Sequence, residues 1–144
     1  MGTRSLTYIE ENYGPEDENN GENILCMYRQ YDGYMSGHGY DLAHFLEDFK
    51  IVNGLGLRDD KIRVANGMGC LAAQLIAHFK DRPGDIYIYH PDAKDCGEEF
   101  TYTIYEKEGK VYIRAYDVWG KKVIFDGSPE DMLEKIGMEK QAID

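Results

Sequence analysis

The chain has 144 residues, enough for one domain that buries roughly two-thirds of its unfolded surface and needs no disulfide or metal to stay folded. Its 16 Lys and Arg stand against 27 Asp and Glu, and a net charge of −11 excludes a protein held on duplex DNA or an anionic membrane by bulk charge. With 42% hydrophobic residues, 12 tyrosines, 5 phenylalanines and 1 tryptophan, it is not a disordered chain either.

Strands are expected over residues 5–11 and 23–31, which are rich in β-branched and aromatic side chains. Between them, residues 12–22 hold turn formers and acids with nothing to bury, and they read as an acidic hairpin loop. Six acids and no base lie from Glu10 to Glu22, so about half of the net charge belongs to this one stretch. Leu42, Phe45, Leu46 and Phe49 follow helical spacing and predict a first helix over residues 40–52, ended by Asn53-Gly54. A second helix is expected over residues 68–80, apolar on most sides through Leu71, Leu75, Ile76 and Phe79, with Arg82-Pro83-Gly84 as its stop. Four strands follow over residues 86–90, 99–106, 110–118 and 121–125, with turns at Glu108-Gly109 and Trp119-Gly120. Ser128 then caps a last helix, with Pro129 in its first turn and Glu130 and Asp131 complementing the helix dipole. Residues 1–144 together predict a single α+β domain, an antiparallel sheet of five or six strands packed against two or three helices.

Cytosolic residence is expected. The longest uncharged apolar stretch, residues 68–77, is too short to cross a bilayer, and the N-terminus lacks an apolar signal core. Cys26, Cys70 and Cys96 form no Cys-x-x-Cys pair, and an odd count without zinc spacing fits reduced thiols. His38, His44, His78 and His90 show no ligand spacing either, so no metal and no cofactor are expected.

The densest polar cluster runs from Tyr28 to Gly39. Gly33, Gly37 and Gly39 permit close backbone approach to a ligand, and the following helix aims its first amides at this loop. Arg29 offers a planar fork for phosphate or carboxylate, Asp32 can accept from a hydroxyl, Tyr28, Tyr31 and Tyr34 offer flat faces for a base, and His38 stands at the centre. The plainer reading makes Asp32-Gly33 a turn and Arg29–Asp32 a structural ion pair. Asn66, Gly67 and Gly69 open the second helix in a formal Gly-x-Gly-x-x-Ala arrangement, completed by Ala72 and preceded by a strand near residues 62–65. They are a candidate second wall for the same ligand, or simply a cap by Asn66 with glycines packed beneath the helix.

The pattern Tyr-Arg-x-x-Asp-Gly-Tyr-x-x-Gly-x-Gly from Tyr28 to Gly39, followed by Leu42, Phe45 and Leu46, resembles the N-terminal signature of small uncharacterised proteins encoded by bacteria and tailed phages. The opening Met-Gly-Thr-Arg-Ser is similar too, and Met35 stands where such proteins often carry Pro. The resemblance covers the first third of the chain and implies a host or phage cytosol, but no reaction.

Strand alternation divides the late sheet into two faces. Ile86 and Ile88 oppose Tyr87 and Tyr89, while Val111, Ile113 and Ala115 oppose Tyr112, Arg114 and Tyr116. The leading expectation is therefore a non-catalytic binding protein for a small anionic, nucleotide-derived ligand, with a phage sponge for an immune signalling nucleotide as its concrete version. Tyr28, Arg29, Asp32, Tyr34, His38, Asn66, Gly67 and Gly69 are its expected ligand-binding residues. One rival is a phosphodiesterase-like hydrolase using Asp32 or His38 as acid or base. The other is a protein-interaction module that uses the Tyr/Arg sheet face, and a homo-oligomer belongs with that reading.

Overall fold

The computed structural model describes residues 2–12, 21–54 and 63–143. Residues 13–20 of the expected acidic loop, and Ile62 of the strand expected before the second helix, lie outside them. In chain order the elements are β1 (Ser5–Asn12), β2 (Gly21–Arg29), a π-helical turn (Met35–Gly39) leading into α1 (Tyr40–Leu46), β3 (Lys50–Val52), β4 (Val64–Asn66), α2 (Gly67–Phe79), β5 (Ile86–Tyr89), β6 (Phe100–Lys107), β7 (Lys110–Asp117), β8 (Lys122–Gly127) and α3 (Pro129–Ile143).

The protein is α+β, and its described residues form three α-helices and one eight-stranded sheet. The order is β4-β3-β7-β6-β1-β2-β5, with β8 also on β7. The sheet is mixed and larger than the five or six antiparallel strands expected, because β1 runs parallel to β6 and β3 parallel to β4. Local patterning accounts for both hairpins, β1–β2 and β6–β7, but no tight turn dictates how the two meet. They join edge to edge through β1 and β6.

The first helix is shorter than its apolar spacing predicts. Glu47 leaves helical geometry and Asp48 adopts φ 59, while Arg63 Nη1 donates to the exposed carbonyls of His44, Phe45 and Glu47 at 3.3, 3.1 and 2.6 Å. Phe49 still reaches the core, but as the lead into β3, where Ile51 and Val52 suit a strand better than a helix. At the last helix the expected cap is present, with Ser128 Oγ accepting from Asp131 N–H at 3.1 Å.

The core lies on the inner face of the sheet. Ile9, Met27, Tyr102, Ile104, Ile113 and Ala115 pack there against Leu42 and Leu46 of α1, Leu71 and Leu75 of α2, and Met132 and Ile136 of α3. A smaller cluster of Leu6, Cys26 and Tyr28 occupies the outer face beneath Ala93 and Cys96. Cys96 is half-buried there rather than exposed as its sequence neighbourhood suggests. Elsewhere the outer face carries Tyr112, Arg114 and Tyr116, half-buried as strand alternation requires.

Candidate functional site

Arg29 and His38 do come together, but inside the protein. After β2, Asp32 turns the chain at φ 60 and Gly33 passes so close to the first strand that a Cβ there would lie 2.9 Å from backbone atoms of Thr3 and Arg4. A Cβ at Gly37 would overlap the carbonyl oxygen of Asp32. These glycines allow the chain to pack closely on itself. The π-helical turn directs His38 inward between the rings of Phe79 and Tyr102, at centroid distances of 5.4 and 5.2 Å. His38 is fully buried. Its Nδ1 accepts from Arg29 Nη1 at 2.9 Å, so its Nε2 carries the proton and donates to Thr7 Oγ1 at 2.7 Å. Burial, and then the charge of Arg29, hold the imidazole well below its ordinary pKa, so it stays neutral.

Arg29 is partly committed, and its buried Nε has no hydrogen-bond partner among the described residues. Its Nη1 also donates to Asp41 Oδ2 at 2.8 Å, and its Nε lies 4.0 Å from Asp85 Oδ2. Asp32 is not the partner of Arg29; it accepts from the Tyr34 hydroxyl at 3.2 Å on the surface. Tyr28 lies across the sheet from Arg29, stacked on Tyr89 at 4.9 Å.

Asn66, Gly67 and Gly69 do not join this cluster. They open α2 while Phe79 beside His38 ends it, and 13 helical residues place the two ends about 20 Å apart. Asn66 does not cap the helix; its Oδ1 accepts from Gly54 N–H at 2.7 Å. Gly67 and Met68 border a cleft of about 320 Å³. The cleft opens where the parallel β1–β6 ladder ends at Ile9–Ile104 and an irregularity after Ile9 turns β1 aside. Its far wall is formed by Tyr105, Lys107 and Arg114, with Glu10, Glu11 and Glu106 at the strand ends.

That wall belongs to the Tyr/Arg face that strand alternation leads one to expect. On the outer face of the β6–β7 hairpin, register partners Tyr105 and Tyr112 stack at 5.6 Å and 23°. The Arg114 guanidinium sits 4.9 Å from the Tyr105 ring centre, Arg114 Nε lies 3.3 Å from Asp126 Oδ2, and the Tyr105 hydroxyl donates to Asp126 Oδ1. Burial and that carboxylate push the Tyr105 phenol up to about 12, so it remains neutral. Two residues along, Lys107 faces Lys110, and Lys110 faces Lys50 on β3. Register partners share a face, so the three lysines form one row beside the tyrosines. Among the described residues no carboxylate lies within ion-pair distance of any of them. The Glu108-Gly109 turn expected from sequence has both residues at positive φ and closes on the Lys107–Lys110 pair, one residue beyond the strand expected over 99–106. Lys50 was hidden by the helix expected over its position.

Comparison with protein families, with curated proteins and with solved structures returned no match. The site therefore rests on its own chemistry. No three His, Cys, Asp or Glu side chains converge as metal ligands among the described residues, and no described helix is long and apolar enough to cross a membrane. The hairpin face can stack a flat ring and hold an anion; the Arg29–His38 centre braces two strands and a turn.

Proposed function

We propose that this protein is a non-catalytic binding protein for a small anionic, nucleotide-derived ligand, and that the ligand lies on the outer face of the β6–β7 hairpin. The observation that carries this reading is the row Lys107, Lys110 and Lys50, which meets no carboxylate among the described residues, beside the stacked Tyr105–Tyr112 pair. Like charges directly opposite one another weaken a sheet, so such a row in a chain of net charge −11 is maintained against cost. The tyrosines and Arg114 stack a base, and the lysines hold phosphate. Distant carboxylates are screened at physiological salt and do not cancel the row.

The test is calorimetry and thermal denaturation with AMP, ADP, cyclic mononucleotides and adenosine. Nucleotides should bind and raise Tm, adenosine far less. Lys107→Ala with Lys110→Ala should weaken binding at least about tenfold, and affinity should fall as salt rises. Ligand recovered intact after denaturation supports binding without turnover, and sequestration is the form of it that the phage-like signature suggests. A chemically altered ligand would establish an enzyme instead. No response to any nucleotide ends this reading and favours a protein-interaction face, to which Trp119, 77% exposed at the β7–β8 turn, also lends itself.

A further inference from the structure

A second cavity, of about 780 Å³, lies at the opposite flank of the same hairpin. Its origin is topological. Strands β3 and β8 share one edge of β7, β3 pairing at Lys110 and β8 only from Ile113 onward, so the edge at Val111 and Tyr112 faces a gap. The end of α1 and the first turn of α3 close the gap from behind.

The floor is apolar and well packed: Leu46, Phe49 and Val111 are all buried yet line the cavity. The walls carry opposite charges. Lys50 and Lys110 stand on the sheet side, and Asp48, Glu130 and Asp131 on the helix side. Among the described residues neither lysine is within 4.0 Å of any of these carboxylates, so the cavity holds two ammoniums apart from three carboxylates. Glu130 is partly committed, since its Oε1 accepts the Asp48 amide at 2.8 Å. The Asp131 N–H donates to Ser128 Oγ, and its carboxylate meets no partner within ion-pair distance among the described residues.

We propose that this cavity binds a short zwitterionic peptide with an apolar side chain. Lys50 and Lys110 receive its carboxylate, Asp131 and Asp48 its terminal ammonium, and Leu46, Phe49 and Val111 its side chain. A simple anion meets three carboxylates here and a simple cation meets two lysines; only a molecule carrying both charges at separate ends matches both walls. The volume falls in the range of small-molecule sites and exceeds the need of a single amino acid. This inference goes beyond the nucleotide reading; it shares Lys50 and Lys110 with that site but requires neither Tyr105 nor Arg114.

The full chain is titrated calorimetrically with trileucine, N-acetyl-trileucine and trileucine amide, and its melting temperature is followed with each. Trileucine should bind and raise Tm, and each blocked form should bind at least about tenfold more weakly. Lys50→Ala with Lys110→Ala should abolish the preference for a free carboxylate, and Asp131→Asn the preference for a free ammonium. Lys94→Ala, an exposed charge outside the cavity, should change neither. Equal binding of all three peptides, no binding, or preferences unmoved in both sets of cavity variants overturns the proposal. Peptide binding without nucleotide binding leaves it standing while the nucleotide reading falls; the converse result does the reverse.

Discussion

Arg29 Nη1 stands 2.9 Å from His38 Nδ1, and because a guanidinium only donates, this one contact sets the imidazole tautomer and makes Thr7 its acceptor. The chain is thereby cross-braced: β2 supplies Arg29, the π-helical turn His38, and β1 Thr7. Asp41 and Asp85 balance the buried charge from two further elements. A residue pair that sequence inspection places in a binding loop is structural in its geometry.

His38 makes stability depend on pH in a definite direction. The fold keeps it neutral, while the unfolded chain takes up a proton near the ordinary histidine pKa of 6.5. Its contribution is complete above about pH 6.5 and declines below it by up to about 1.4 kcal/mol per pH unit. Melting curves from pH 7.5 to 5 should therefore fall more steeply for the native chain than for His38→Gln. Parallel slopes would remove His38 as the source.

The Tyr102 hydroxyl, buried against the core, donates to the Gly33 carbonyl at 2.7 Å and so ties the glycine turn to β6. Tyr102→Phe leaves that carbonyl without its partner and should cost about 1–3 kcal/mol in urea denaturation. A neutral result would mean that the turn is held from the segment before β1 alone, through Gly33 N–H and Thr3 O at 2.8 Å.

Two glycines of the expected ligand loops should behave in opposite ways. Gly37→Ala drives a methyl into the Asp32 carbonyl and should destabilise by about 1–3 kcal/mol. Gly69→Ala meets nothing within 4 Å in the first turn of α2 and should stabilise by up to about 1 kcal/mol. Chemical denaturation of both variants measures this, and a destabilised Gly69→Ala would show that its open space is needed.

Lys110 lies between Lys107 and Lys50 in register, so Lys110→Glu should raise stability by about 0.2–1 kcal/mol for each neighbour while abolishing nucleotide affinity. Denaturation and calorimetry on the same preparation separate the two effects. Loss of both stability and affinity would make the lysine a structural residue.

What was legible and what was not divides along the range of the interactions. Alternation placed Val111, Ile113 and Ala115 inward and Tyr112 and Arg114 outward, and the Ser128-Pro129 start of α3 was readable, because these depend on neighbours within a few residues. The same spacing rule extended α1 over β3, since Phe49 is buried in either conformation and periodicity alone does not tell a helix end from a short strand.

The sequence by itself determined an α+β chain, the two-faced character of its late strands, the turn at Glu108-Gly109, and an acidity concentrated before β2. Tertiary structure decided the rest. It buried Arg29 and His38 against partners as distant as Asp85, set Asn66 to Gly69 at the far end of α2, and brought Lys50 into line with the hairpin lysines. Each of those outcomes depends on which strand edges meet, and a long-range pairing of that kind leaves no periodicity in the residues that make it.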